Sequence, residues 1–125
     1  MEDRITEIEY AGLKIVYTNL SELSANEAIA VLQQTLIEIP KYGEKSVYSL
    51  LNVKHLEFNS ELMKVFNKVG SENLQYVVGT AVCGLSSMTR LLAKGVVAAT
   101  GRKADFFKDI EEGKDWLLEV SRGNK

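Results

Sequence analysis

Cysteine, histidine and proline each occur once in this chain, as Cys83, His55 and Pro40, and no apolar run reaches the roughly 18 to 20 residues needed to span a bilayer. One cysteine excludes an internal disulfide and, with one histidine, leaves no cluster of ligands for a structural metal, as expected in a reducing compartment. The opening MEDRITEIEY is charged where a secretion signal needs an apolar centre. A cytoplasmic protein, not an integral membrane one, is therefore expected. Positive charge is not in surplus either: 15 Lys and Arg face 17 Asp and Glu, a net charge of −2. Nothing in that balance would hold a phosphate backbone, so nucleic acid is not an expected partner.

What is present is the composition of a folded domain, with 46% apolar and 26% charged residues. A length of 125 residues is enough for one buried core and small for two, so a single domain over 1–125 is expected.

The local signals alternate between strand and helix. Ile5 to Tyr10 and Leu13 to Tyr17 are β-like runs on either side of Ala11-Gly12, whose glycine can supply the positive φ of a tight hairpin. Alternation places Leu13, Ile15 and Tyr17 on one face and Lys14, Val16 and Thr18 on the other, which predicts one clearly more apolar face. Ser24 followed by Glu27 has capping-box spacing, and Ala25, Ala28, Ile29, Leu32, Leu36 and Ile39 form a helical stripe that Pro40 stops near Ile39. A buried strand is expected from Ser46 to Leu51. Asn59 is then an N-cap, Phe58 stands at staple spacing from Met63, and the helix is expected to stop at Gly70.

Leu74 to Leu85 is almost wholly apolar, as for a strand covered on both faces. Ser86 or Ser87 can cap an unusually apolar helix carrying Met88, Leu91, Leu92, Gly95, Val96 and Ala99. A short strand, Ala104 to Phe107, precedes a last helix with Asp109 and Glu112 at capping-box spacing and Ile110, Gly113, Trp116, Leu117 and Val120 on its buried stripe. The order ββαβαβαβα predicts an α/β fold: an N-terminal hairpin, then a mixed, mostly parallel sheet with helices packed on it.

Chemistry is sparse. His55 in NVKHLEF reads as a solvated loop position with no companion nucleophile, and Cys83 as a small buried hydrophobe. No catalytic residue and no cofactor is predicted. The turn Gly84-Leu85-Ser86-Ser87 opens a helix whose free amides face an anion, with Thr89 and Arg90 able to assist, but both glycine-rich phosphate motifs are absent. Ordinary capping is the preferred reading of that turn. Ser60 follows the cap Asn59 in the first helical turn, where a phosphate would be stabilised.

The strings YAGLKIVYTNLSEL, YSLLNVKHLEFNSELMKVFNKV, YVVGTAVCGLSSMTRLL, TGRKADFF and IEEGKDWLLE, over about residues 4–120, resemble a STAS-type domain. That is the fold of sulfate-transporter tails and anti-sigma-factor antagonists, and the likeness is to the small bacterial subgroup whose sheet is compared with CRAL-TRIO lipid-transfer domains. The resemblance implies a non-enzymatic interaction or regulatory module with a regulatory protein partner. In the antagonists an Asp-Ser-Ser/Thr-Gly loop carries a hydroxyl that a partner kinase phosphorylates; here Asn59 stands at the aspartate, Ser60 at the acceptor and Glu61 near the glycine. The alternative is a small-ligand site, lipid-like by the CRAL-TRIO resemblance, or anionic, as for a nucleotide, with Gly84, Ser86, Ser87 and Arg90 as its candidates. The surplus apolar surface of the Ser86 to Ala99 helix and the strand before it would line such a pocket or form a homodimer interface.

Overall fold

The computed structural model describes residues 3–87, 89–90 and 103–123. They form β1 (Ile5–Tyr10), β2 (Leu13–Asn19), α1 (Ala25–Glu38), a 3-10 turn (Ile39–Tyr42), β3 (Val47–Asn52), α2 (Ser60–Asn73), β4 (Val77–Cys83), β5 (Ala104–Phe107) and α3 (Ile110–Ser121). The strands lie in the sheet in chain order, β1-β2-β3-β4-β5. β1 and β2 are antiparallel and every later pair is parallel. Most of the apolar helix expected from Ser86 to Ala99 falls outside the described residues; Ser87, Thr89 and Arg90 are helical.

Local chemistry fixes most of the ends. Ala11 and Gly12 have φ of 49° and 86°, the two positive values that a two-residue hairpin turn requires. At α1 the box forms as predicted: the Glu27 amide donates to Ser24 Oγ at 3.2 Å, and the Ser24 amide donates to Glu27 Oε1 at 3.0 Å. Asp109 caps α3 by accepting the Glu112 amide at 3.0 Å. The return arm there reaches the Lys108 amide, 3.4 Å from Glu112 Oε1, one residue earlier than in a regular box.

Packing overrules two expectations and adds to a third. Both faces of β2 are covered: Ile15 is buried against α3, and Val16 and Thr18 are buried on the other side, because helices cover a parallel sheet on both faces. α2 runs through Gly70 to Asn73. Val69 and Asn73, one turn apart, are both buried, and Asn73 Nδ2 donates to Thr35 Oγ1 on α1 at 3.4 Å, so tertiary contacts carry the helix past its glycine. Phe58 and Met63 do not form a buried staple; both are exposed, and Phe58 stacks on Phe66 with centroids 6.2 Å apart.

The core has two layers. Leu20, Ala28, Leu32, Val53, Leu62 and Val69 pack between α1, α2 and the sheet. Ile15, Leu50, Ala81, Cys83 and Leu117 pack between the sheet and α3. Gly113 makes the second seam tight, since a Cβ there would lie 2.5 Å from Cys83 Sγ and 2.9 Å from Leu50 Cδ1. β4, shorter than predicted, presents Gly79, Ala81 and Cys83 buried, while Val78, Thr80 and Val82, which alternate with them, are half-buried.

Candidate functional site

All the predicted site residues lie at the carboxyl ends of parallel strands, where open α/β sheets present their ligand and partner sites. The loops there are joined by backbone hydrogen bonds that continue the sheet. The amides of Leu20 and Glu22, after β2, donate to the carbonyls of Asn52, the last residue of β3, and Lys54 beyond it, at 2.8 and 3.0 Å. The Glu57 amide donates back to Leu23 O at 3.1 Å. Across this seam His55 Nδ1 sits 2.6 Å from Glu22 Oε2, both side chains about two-thirds exposed. Both residues are left-handed, with φ of 60° and 65°, a region that non-glycine residues rarely occupy. Nothing in the local sequence marks either as left-handed, and the pairing joins residues 33 apart.

Asn59 and Ser60 stand where β3 hands over to α2. Asn59 is extended and its Oδ1 accepts the Leu62 amide at 2.8 Å, as an N-cap should. Ser60 is the first helical residue and is exposed, with Glu61 beside it in the first turn. An anion on the Ser60 hydroxyl would lie at the positive end of α2.

The second group follows β4. Gly84 has a φ of 106°, and a Cβ on it would meet the backbone of Lys54 at 2.8 to 2.9 Å, so this glycine lets the loops after β3 and β4 touch. Ser86 accepts the Thr89 amide at 3.3 Å and its hydroxyl bonds Thr89 Oγ1 at 2.8 Å. Arg90 donates to Leu85 O at 3.0 Å and to Ser87 Oγ at 3.2 Å. An anion at this turn would therefore compete with bonds already made. The loop after β3, which leads on to Asn59 and Ser60, and the loop after β4 approach each other at the Lys54 and Gly84 backbones.

Cys83 lies apart from both, buried beneath α3. Burial, with the carboxylates of Asp109 and Glu112 adding to it, pushes its thiol up to about 12, against a Gly113 amide that favours the thiolate. Such a thiol is protonated at neutral pH and a poor nucleophile. Among the described residues no three His, Cys, Asp or Glu side chains cluster as metal ligands would, and no helix is long and apolar enough to cross a membrane.

This arrangement of sheet, loops and helices has solved counterparts. An uncharacterised protein of the DUF3478 family with a SpoIIAA-like fold, from Shewanella loihica, superposes with a TM-score of 0.72 at 13% identity, over 90% of this chain and 91% of its own. The fold is STAS-like. An anti-sigma-factor antagonist (STAS) domain protein from Planctomyces limnophilus has a TM-score of 0.59 at 14% identity, covering 94% of this chain and 97% of its own. No family model matches the chain, and no curated protein matches it. The STAS-like frame agrees with the resemblance in the sequence, and its loop after the central strand is the one that carries Asn59 and Ser60.

Proposed function

We propose that this chain is a non-enzymatic interaction module of the antagonist type, which docks a regulatory protein through the loops at the carboxyl ends of β2, β3 and β4. The supporting observation is the exposed Ser60 at the Asn59-capped start of α2, flanked by Phe58 and Met63, which are 43% and 45% exposed. Apolar side chains of that size beside a loop tied by backbone hydrogen bonds are the anchors that protein partners use. Phosphate on Ser60 would place up to two negative charges among them, and so convert an apolar docking surface into an anionic one.

Co-purification from the native host tests this. A protein retained by the wild type and by Ile37→Asp, an exposed position on α1, should be lost with Phe58→Asp and with Ser60→Glu. Retention unchanged in both site variants, or no protein retained above the untagged control, would overturn the reading. Native mass spectrometry of the same sample shows whether the partner is a second copy of this chain, the homodimer that an apolar surface most simply forms.

A further inference from the structure

β1 ends the sheet, and among the described residues β2 is its one neighbouring strand. The register fixes which of its backbone groups are left for another strand. One step beyond the Ile5–Thr18 pair, the Asn19 amide donates to Arg4 O at 2.8 Å, so Arg4 and Asn19 form a hydrogen-bonded pair. In an antiparallel ladder such pairs alternate with open ones. Arg4, Thr6, Ile8 and Tyr10 therefore bond inward to β2, and the amides and carbonyls of Ile5, Glu7 and Glu9 point away from the sheet.

Edges are commonly blunted by shortness, a proline, a bulge or a lysine. β1 has six residues with no proline and no lysine, and its register with β2 is unbroken. Its guard is acidic instead. The three outward residues share one face of the sheet, and two of them are the exposed Glu7 and Glu9. Lys14 on β2 serves both: it is the ladder partner of Glu9, and its Nζ lies 3.9 Å from Glu7 Oε2. One lysine against two carboxylates leaves this face negative. On the opposite face Asp115 accepts from the Tyr10 hydroxyl, while Lys114, 5.6 Å from the centre of the Tyr10 ring, is engaged by Glu111 at 3.0 Å. There too, two carboxylates face one amine. A second copy of this chain is poorly suited to the edge, since pairing all three outward residues across a twofold axis sets Glu7 against Glu7, and like charges directly opposite are destabilising.

We propose that the β1 edge takes up an extended basic segment of another protein as an added antiparallel strand. Two of its residues, two positions apart, are Lys or Arg and stand opposite Glu9 and Glu7. The residue opposite Ile5 is apolar, and those that alternate with these lie beside Ile8 and Thr6 and are β-branched. Main-chain hydrogen bonds to Ile5, Glu7 and Glu9 supply the affinity, and the alternate basic side chains select the partner. The edge shares no residue with the Phe58, Ser60 and Met63 surface, so this strand site stands or falls separately from it.

The test uses the full chain, isotope-labelled for amide exchange by NMR, and the end-blocked peptide GKVKTVG, whose lysines fall opposite Glu9 and Glu7. In the free chain the amides of Thr6 and Ile8 should exchange slowly and those of Glu7 and Glu9 fast. Saturating peptide should slow Glu7 and Glu9 by roughly tenfold or more. Two control peptides separate charge from main-chain pairing: GEVETVG, and GKVKTVG methylated on both lysine amides, should each bind at least about tenfold more weakly. Glu9→Lys should weaken GKVKTVG by roughly threefold to tenfold, whereas Phe58→Asp should leave it unchanged. No saturable binding up to millimolar peptide, or equal binding of the methylated form, would overturn the proposal. So would protection of Glu7 and Glu9 without peptide, which, if it grew with protein concentration, would assign the edge to a second copy. The peptide comparisons on the wild type depend on no variant folding.

Discussion

Replacing Gly113 with alanine sets a favourable local effect against an unfavourable tertiary one. In a helix interior alanine is better than glycine by about 1 kcal/mol. At this position, however, the new methyl would lie 2.5 Å from Cys83 Sγ, 2.9 Å from Leu50 Cδ1 and 3.3 Å from Ala81 Cβ. Carbon and sulfur pack at roughly 3.5 to 4 Å, and Cys83 and Leu50 are both 0% exposed, so neither can turn away into solvent. Either α3 lifts or two core side chains leave their rotamers, and overpacking of that kind costs about 1 to 3 kcal/mol. With two overlaps at once the upper end applies, and the net expectation is a loss of about 2 kcal/mol. Urea unfolding followed by Trp116 fluorescence reads it, because Trp116 sits on α3 with its ring 5.6 Å from that of Phe107. Two comparisons isolate the cause. In Gly79→Ala the nearest contact is an ordinary 3.5 Å to Val120 Cγ1, so stability should change by less than about 0.5 kcal/mol. In a cycle with Cys83→Ala the two substitutions should couple by at least about 1 kcal/mol. A Gly113→Ala protein as stable as the wild type would refute the close seating of α3.

Two further outcomes follow from the same geometry. The thiol of Cys83 is raised from 9.0 to about 12, so above pH 9 the native state keeps a proton that the unfolded chain loses. Stability present below pH 9 should then fall by up to about 1.4 kcal/mol per pH unit towards pH 12. Tyr42, pushed up to about 12 by burial and by its hydrogen bond to Glu7, adds a second loss above pH 10. Cys83→Ala should make the fall between pH 9 and 10 shallower in urea midpoints, and an unchanged slope would contradict the burial argument. Gly84→Ala combines a φ of 106° with a methyl 2.8 Å from the Lys54 backbone, which cannot yield cheaply. It should lower stability by about 2 kcal/mol or more in thermal melts, and a loss below about 0.5 kcal/mol would show that these loops do not touch.

Features written in adjacent residues were legible before any coordinates. The turn at Ala11-Gly12, the Ser24-Glu27 box and the caps Asn59 and Asp109 each need only a neighbour within a few positions, and each forms where the pattern places it. Alternating strands and helices then dictated the parallel sheet. What was missed depends on distant partners. Gly70 looks like a helix stop until Asn73 is seen bonded to Thr35 on another helix. Phe58 has Met63 at staple distance in sequence, yet finds Phe66 across one further turn. The Glu22–His55 contact joins two loops 33 residues apart, which only the pairing of β2 with β3 brings together and no local run of residues encodes.

The stacking of the strands in chain order has a consequence for synthesis. Each strand can pair with its predecessor as soon as it emerges, with β1 to β5 added to one growing edge. Among the described residues, the face that carries Ile15, Leu50, Ala81 and Cys83 is covered by α3, which is made after β1 to β5. Until Leu117 has left the ribosome, that apolar face is open to chaperones and to other nascent chains. A transcript broken before Trp116 would release a product with a nearly complete sheet and one bare side, which quality control would recognise by that side.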